Sequence, residues 1–149
     1  FMLGWEALHT MNKMHDGRME KTLLYDEVLR MYSVPNFAAL KTLVVTADDY
    51  KHIVAQAAPA VQKLSAQGEP HSQHIVAQAI EELQRMVSTV VAQLDYSQDM
   101  YVYLVGSLFK DDFYRQQLTA RLYSEGIRSQ PMRIEAPVGG VVNWRRGNP

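Results

Sequence analysis

The sequence predicts an α/β fold that is mostly helical with a small parallel sheet, on three observations. Met100 to Val105 is a short, unbroken apolar run rich in Val and Tyr, the composition of a strand covered on both faces in a parallel sheet. A helical repeat and then a second strand candidate, Met132 to Ala136, follow it; strand–helix–strand order predicts parallel pairing through a right-handed crossover. Ahead of these, residues 1 to about 95 carry five helical segments and no strand. The whole chain, 1–149, reads as a single lobe: a helical part over about 1–95 and a βαβα part over about 100–146.

Each element has a local reason. Trp5, Leu8 and Met11 form one stripe of a first helix, which ends at His15-Asp16-Gly17-Arg18, a polar turn with Gly. A second helix covers Glu20 to Tyr32, with Leu24, Val28 and Met31 inward. Ser33-Val34-Pro35-Asn36 breaks it, because Pro35 pushes Val34 out of helical geometry. Asn36 can cap a short third helix carrying Phe37, Leu40, Leu43 and Val44. The fourth starts near Asp48 or Asp49 and carries Tyr50, Ile53, Val54, Ala57, Val61 and Leu64 at the helical period. Pro59 falls inside it and should kink it. Gly68-Glu69-Pro70 divides it from the longest helix, where Ile75, Ala79, Leu83, Met86, Val90 and Leu94 share one face. Val76, Ile80, Val87 and Val91 widen that stripe, so this helix should be largely buried. Beyond the first strand and Gly106-Ser107, Asp111 can cap a helix bearing Phe113, Tyr114, Leu118 and Leu122, with Gly126 as its stop. Pro137 closes the second strand, and Gly139-Gly140 leads into Val141, Val142 and Trp144, a short last helix or tail.

Composition narrows the function classes. The chain is 149 residues long and 47% apolar, enough for one domain with a core. Fifteen basic residues oppose sixteen acidic ones, so no net field steers the chain to nucleic acid or a membrane surface. With no cysteine, disulfides, thiolate metal sites and cysteine nucleophiles are excluded. No apolar run nears the roughly 18 residues of a membrane helix, and no signal peptide is visible, so a cytoplasmic protein is expected. Phe1-Met2-Leu3-Gly4-Trp5 is apolar from its first residue and reads like the middle of a longer chain. Two strands do not make a stable parallel sheet alone. The pattern therefore reads as a fragment of a larger α/β fold, with further strands elsewhere or supplied by a partner. Unpaired strand edges seek partners, which makes a homodimer the expected assembly.

Most of the polar constellations have bland explanations. His71 and His74, with Glu69 near, have a spacing that can grip a metal, but no third ligand is placed and no metal site is expected. His9 and His15 read as surface residues. Asp48-Asp49 and Asp111-Asp112 suit helix starts, and Glu81-Glu82 a solvated face. Adjacent acids on a helix diverge by about a hundred degrees, so none is a catalytic pair. No nucleophile elbow is present, and no catalytic residue is assigned. Arg145 and Arg146 beside Trp144 could stack on a base or form a frayed tail. The βα turns at Gly106-Ser107 and Gly139-Gly140 are both built of small residues. In a parallel sheet such turns share the carboxyl edge, where ligands bind; plain packing fits the same residues.

With these residues in place, the chain resembles the C-terminal lobe of the N-acetylglucosamine kinase and BadF/BadG/BcrA/BcrD ATPase family, in the sugar kinase, Hsp70 and actin superfamily. Gly4-Trp5-Glu6-Ala7-Leu8 resembles the family's aromatic-x-Gly-x-x-Ala-Leu helix start, and Asp16-Gly17-Arg18 its Asp-Gly-Arg turn. Gly68-Glu69-Pro70 is similar to the Gly-Asp-Pro break between two long helices. Leu104-Val105-Gly106-Ser107 with Lys110 resembles the adenosine turn, and Pro137-Val138-Gly139-Gly140 the closing Pro-x-x-Gly-Ala segment. The likeness runs over essentially the whole chain.

The resemblance implies a ribonuclease-H-like (actin-like ATPase) lobe with a helical insertion, binding ATP, with Mg2+, in the cleft between two such lobes. Gly106 and Ser107 would approach the adenosine and α-phosphate, with Asp111 nearby. Ala55 corresponds to a small residue that lets adenine approach the fourth helix, and Gly139 and Gly140 to the closing contact. Gly140-Val141 stands where Gly-Ala is usual. The family's N-terminal lobe, with its phosphate hairpin, catalytic Asp and sugar contacts, has no counterpart here, so this half-molecule is expected to be catalytically silent alone. Within the family an activator ATPase is the alternative, but its cluster-holding cysteines are missing. Outside it, a non-catalytic helical interaction module fits the same pattern.

Overall fold

The computed structural model describes residues 1–94 and 100–132, and there the chain is mostly helical with one small parallel sheet. Two compact units are present, Phe1–Ala79 and Ile80–Pro149, and the division falls inside the longest helix.

The first unit contains α1 (Met2–His15), α2 (Leu23–Met31), α3 (Phe37–Thr46), α4 (Tyr50–Ala55), α5 (Ala58–Ala66) and the start of α6 (Pro70–Gln93). Helix α1 packs on α4 and α5, and α2 on α5. The core is Leu3, Ala7, Met11, Leu24, Val28, Leu40, Val54 and Val61, all nearly inaccessible. Two caps follow the sequence: Asn36 Oδ1 accepts from the Ala39 N–H at 2.9 Å, and Asp49 Oδ1 from the His52 N–H at 3.0 Å. The expected kinked fourth helix is two helices. Pro59 cannot donate to a carbonyl one turn back and crowds that turn, so it stands in the first turn of a new helix, α5, where Pro is tolerated.

Three helices end on the same device. After α2, the Val34 N–H reaches the Leu29 carbonyl; after α5, Glu69 N–H reaches Leu64; after α7 (Asp112–Ser124), Ile127 N–H reaches Leu122. Each closure needs one residue at positive φ. Gly68 and Gly126 serve two of them, but Ser33 serves the first at φ 54°.

The second unit holds the rest of α6, the strand β1 (Val102–Leu104), a 3-10 turn over Ser107–Lys110, α7 and the strand β2 (Ser129–Pro131). The strands pair in parallel, Val102 opposite Ser129 and Leu104 opposite Pro131. The Val102 N–H donates to Arg128 and the Met132 N–H to Leu104, bracketing the ladder. In a parallel ladder alternate residues point their N–H groups to opposite sides. The Met132 N–H faces β1, so the missing N–H of Pro131 is on the side away from β1, where it costs this ladder no bond.

Several burial expectations need correction. Met86, Val90 and Leu94 are 61%, 50% and 61% exposed, so only the start of α6, at Ile75, Val76, Ala79 and Ile80, is buried. Strand β1 is not covered on both faces: Leu104 is buried while Tyr101 and Tyr103 are exposed, a two-residue alternation. Trp5, Met31 and Phe113 are also exposed, whereas Leu3, Ala7 and Met14 carry the inward face of α1. The second strand lies three residues earlier than Met132 to Ala136, of which 133–136 fall outside the described residues.

Candidate functional site

The turn after β1 is where sequence and fold converge. Strand β1 ends on buried Leu104, and the chain leaves the sheet through Val105 to Gly106. Gly106 has φ +123°, a conformation that L side chains rarely adopt, and no described atom lies within 4 Å of the place a Cβ would take. The backbone here is bare and open, as close approach by a ligand requires. Ser107 then begins the 3-10 turn and is exposed.

Asp111 closes the turn and opens α7. Its Oδ1 accepts from the Tyr114 N–H at 2.7 Å, the N-cap that the sequence predicts. The carboxylate already complements the positive end of the helix, so a phosphate would meet a like charge there. Neutral, hydroxyl-bearing groups suit this turn better than anions. Beside it, Arg115 is tied to the Asp112 carboxylate and donates to the Phe109 carbonyl at 3.0 Å. The Phe109 and Tyr114 rings lie 6.1 Å apart. Burial pushes the Tyr114 hydroxyl up to about 12, and that oxygen has no hydrogen-bond partner among the described residues. Among the described residues, no base–nucleophile pair is assembled at the turn.

Gly106, Ser107 and Asp111 therefore belong to one continuous segment of the second unit. Ala55 belongs to the first unit, as the last residue of α4, half-buried. Its Cα is 3.5 Å from the point a Cβ on Gly4 would occupy, so its backbone lies at the α1–α4 contact. Gly139 and Gly140 lie outside the described residues. Among the described residues no group of three potential metal ligands occurs. His9, His15 and His74 are exposed, and the His71 backbone N–H points to Glu69 Oε1 at 3.3 Å.

Sequence reasoning missed two features of the first unit. Glu69, immediately before α6, is a buried carboxylate that accepts from Thr22 Oγ1 at 2.8 Å, from the Ser72 N–H at 2.7 Å and from the Ser72 hydroxyl. Burial raises its pKa, but these donors outweigh burial and leave it below the usual glutamate value. Pro70 at the first helical position, with Ser72 behind it, was the available signal. The second is a groove of about 270 Å³ between α1 and α3; helical periodicity carries no sign of it, because both its walls read as core. A shallower concavity of about 390 Å³ lies between α7 and β2, next to Arg115, Thr119 and Ser129.

A scan against models of known protein families finds no match to this chain, and a search of curated proteins finds none either.

Proposed function

We propose that this chain is the nucleotide-binding C-terminal lobe of an ATP-dependent sugar kinase resembling N-acetylglucosamine kinase, with a ribonuclease-H-like architecture. Phosphoryl transfer from ATP, with Mg2+, to an amino-sugar hydroxyl would then occur in a cytoplasmic, homodimeric protein that also carries the N-terminal lobe and its sugar site. The observation that carries this reading is the open turn at Gly106, at the carboxyl end of a strand in a parallel β–α–β unit. A bulky side chain filling that bend, or an antiparallel neighbour, would have argued against it. The Asp111 cap supports contact with adenosine more than with phosphate, since the helix end is already charge-matched.

Isothermal titration of ATP tests the proposal. Weak saturable binding is expected, lost on Gly106→Trp, whose positive φ also costs the fold about 1–2 kcal/mol, and lost equally on Ser107→Trp at an exposed neighbouring position with the circular dichroism spectrum and Tm retained. Absence of binding at millimolar ATP would overturn it. The competing reading, a non-catalytic helical interaction module, is favoured by one observation: Met86 and Val90 on α6 and Leu94 just past its end are exposed apolar residues four positions apart. That module would leave ATP unbound and would self-associate or capture a helix through this row.

A further inference from the structure

The first unit contains a preformed site that the nucleotide reading does not use. Helices α1 and α3 enclose the groove of about 270 Å³. Its floor is Phe37 and Leu40, at 3% and 0% exposure, so the base belongs to the rigid core. Trp5 forms one wall and is 48% exposed. Phe1 stacks on the Trp5 ring, the centroids 6.0 Å and the planes 22° apart. Val45 stands at the other wall, 81% exposed.

The polar lining is one-sided. Lys41 on α3 and His9 on α1 border the groove, with Asn12, and no carboxylate lines it. Each described arginine–carboxylate or lysine–carboxylate pair in this unit lies elsewhere, at Asp16–Arg18, Glu27–Arg30 and Glu27–Lys63. An apolar trough walled by an aromatic ring and bordered by an ammonium that no carboxylate pairs among the described residues fits a molecule with an apolar body and one negative end. A cationic amphiphile would meet Lys41 as a like charge, and a neutral one would gain only the burial.

We propose that the α1–α3 groove binds a small amphiphilic anion, an alkyl or aryl carboxylate, with its chain over Phe37 and Leu40 and its carboxylate toward Lys41. The site is independent of the Gly106 turn and would stand if ATP binding failed.

Trp5 and Trp144 are the two tryptophans, so Trp144→Phe leaves Trp5 as sole fluorescent reporter. That variant is titrated with decanoate, decanol and decyltrimethylammonium below their aggregation limits. Expected is a saturable Trp5 change with affinity in the order decanoate, decanol, decyltrimethylammonium. Lys41→Glu is a charge reversal at an exposed position and should weaken decanoate roughly 2- to 5-fold, the scale of exposed ion pairs, while leaving decanol unchanged. Val45→Glu, equally harmless to folding, should weaken decanoate as well. Three outcomes would overturn the proposal: no saturable change with decanoate, equal affinity for decanoate and decanol, or indifference to Lys41→Glu in a variant whose Tm is intact. A fluorescence change that tracks self-association in sedimentation would also overturn it, assigning the groove to a second copy of the chain.

Discussion

Gly4 of α1 lies directly against the backbone of Val54 in α4: a Cβ on Gly4 would stand 1.9 Å from the Val54 carbonyl oxygen and 2.8 Å from its carbon. No side-chain rotation relieves a clash with backbone, so the two helices can come this close only where residue 4 has no side chain. Gly4→Ala should destabilise the first unit by about 3 kcal/mol, the upper range for overpacking a core, although alanine is the better helix former. Urea denaturation checks this: the midpoint should fall sharply, and an unchanged midpoint would mean that α1 is not seated on α4 in solution.

Ser33 should improve on replacement. It holds φ 54° to close α2, with its own N–H on the Arg30 carbonyl and the Val34 N–H on Leu29. Left-handed backbone costs a non-glycine residue about 1–2 kcal/mol, partly offset by the larger entropy glycine loses on folding. Ser33→Gly should therefore raise stability by roughly 0.5–1 kcal/mol, read as a higher Tm. A lower Tm would show that the exposed hydroxyl has a partner that matters more.

Glu69 gives the fold an acid limb. Its folded-state pKa lies below that of the unfolded chain, burial opposing the shift and the Ser72, Thr22 and His71 donors carrying it. The stabilisation is therefore present above the unfolded glutamate value, roughly pH 4.3, and is lost as pH falls through the folded value. Glu69→Gln should cost about 1–2 kcal/mol near pH 7, as the loss of a charged, buried cap does. The gap to the parent chain should close as pH drops below roughly 4, which paired melting curves across pH would detect.

Two of the eight tyrosines define the alkaline limit. Burial pushes both Tyr32 and Tyr114 up to about 12. Unfolded tyrosine ionises near pH 10, so their contribution is complete below that and is lost as pH climbs from roughly 10 toward 12. Absorbance titration near 295 nm (roughly the phenolate band) should show these two ionising last, together with unfolding. Their substitutions should then diverge. Tyr32 donates to the Ile53 carbonyl, so Tyr32→Phe should cost about 1 kcal/mol. The Tyr114 hydroxyl is buried without a partner among the described residues, and Tyr114→Phe should be neutral or stabilising.

The distal part of α6 should tolerate charge. Met86→Glu and Leu94→Lys replace residues 61% exposed and are expected to stay within about 0.5 kcal/mol of the parent. If this row is an interface, the same substitutions should change the sedimentation coefficient without changing monomer stability. A loss of about 2 kcal/mol or more, as for a buried side chain, would restore the burial that periodicity suggests.

Local chemistry was legible from the residues alone. Asn36, Asp49 and Asp111 cap the helices assigned to them, because a short polar side chain before a helix acts on N–H groups two or three positions away. The strand, small-residue turn and helix around Gly106 were equally visible, as was the parallel sense of the second strand, though not its place, since alternating elements leave few ways to connect. What the pattern of apolar residues did not contain is which side of each stripe meets a neighbour. Periodicity placed Trp5 and Met86 on the same stripes as Met11 and Ile75, yet the first two are exposed and the last two buried. Only tertiary packing settles that, because burial is a property of two surfaces and the sequence of one helix describes one. The Gly4–Val54 approach, the Thr22–Glu69 hydrogen bond and the α1–α3 groove arise for the same reason: the first two join residues 50 and 47 positions apart and the third depends on a gap between helices, and none leaves a local mark.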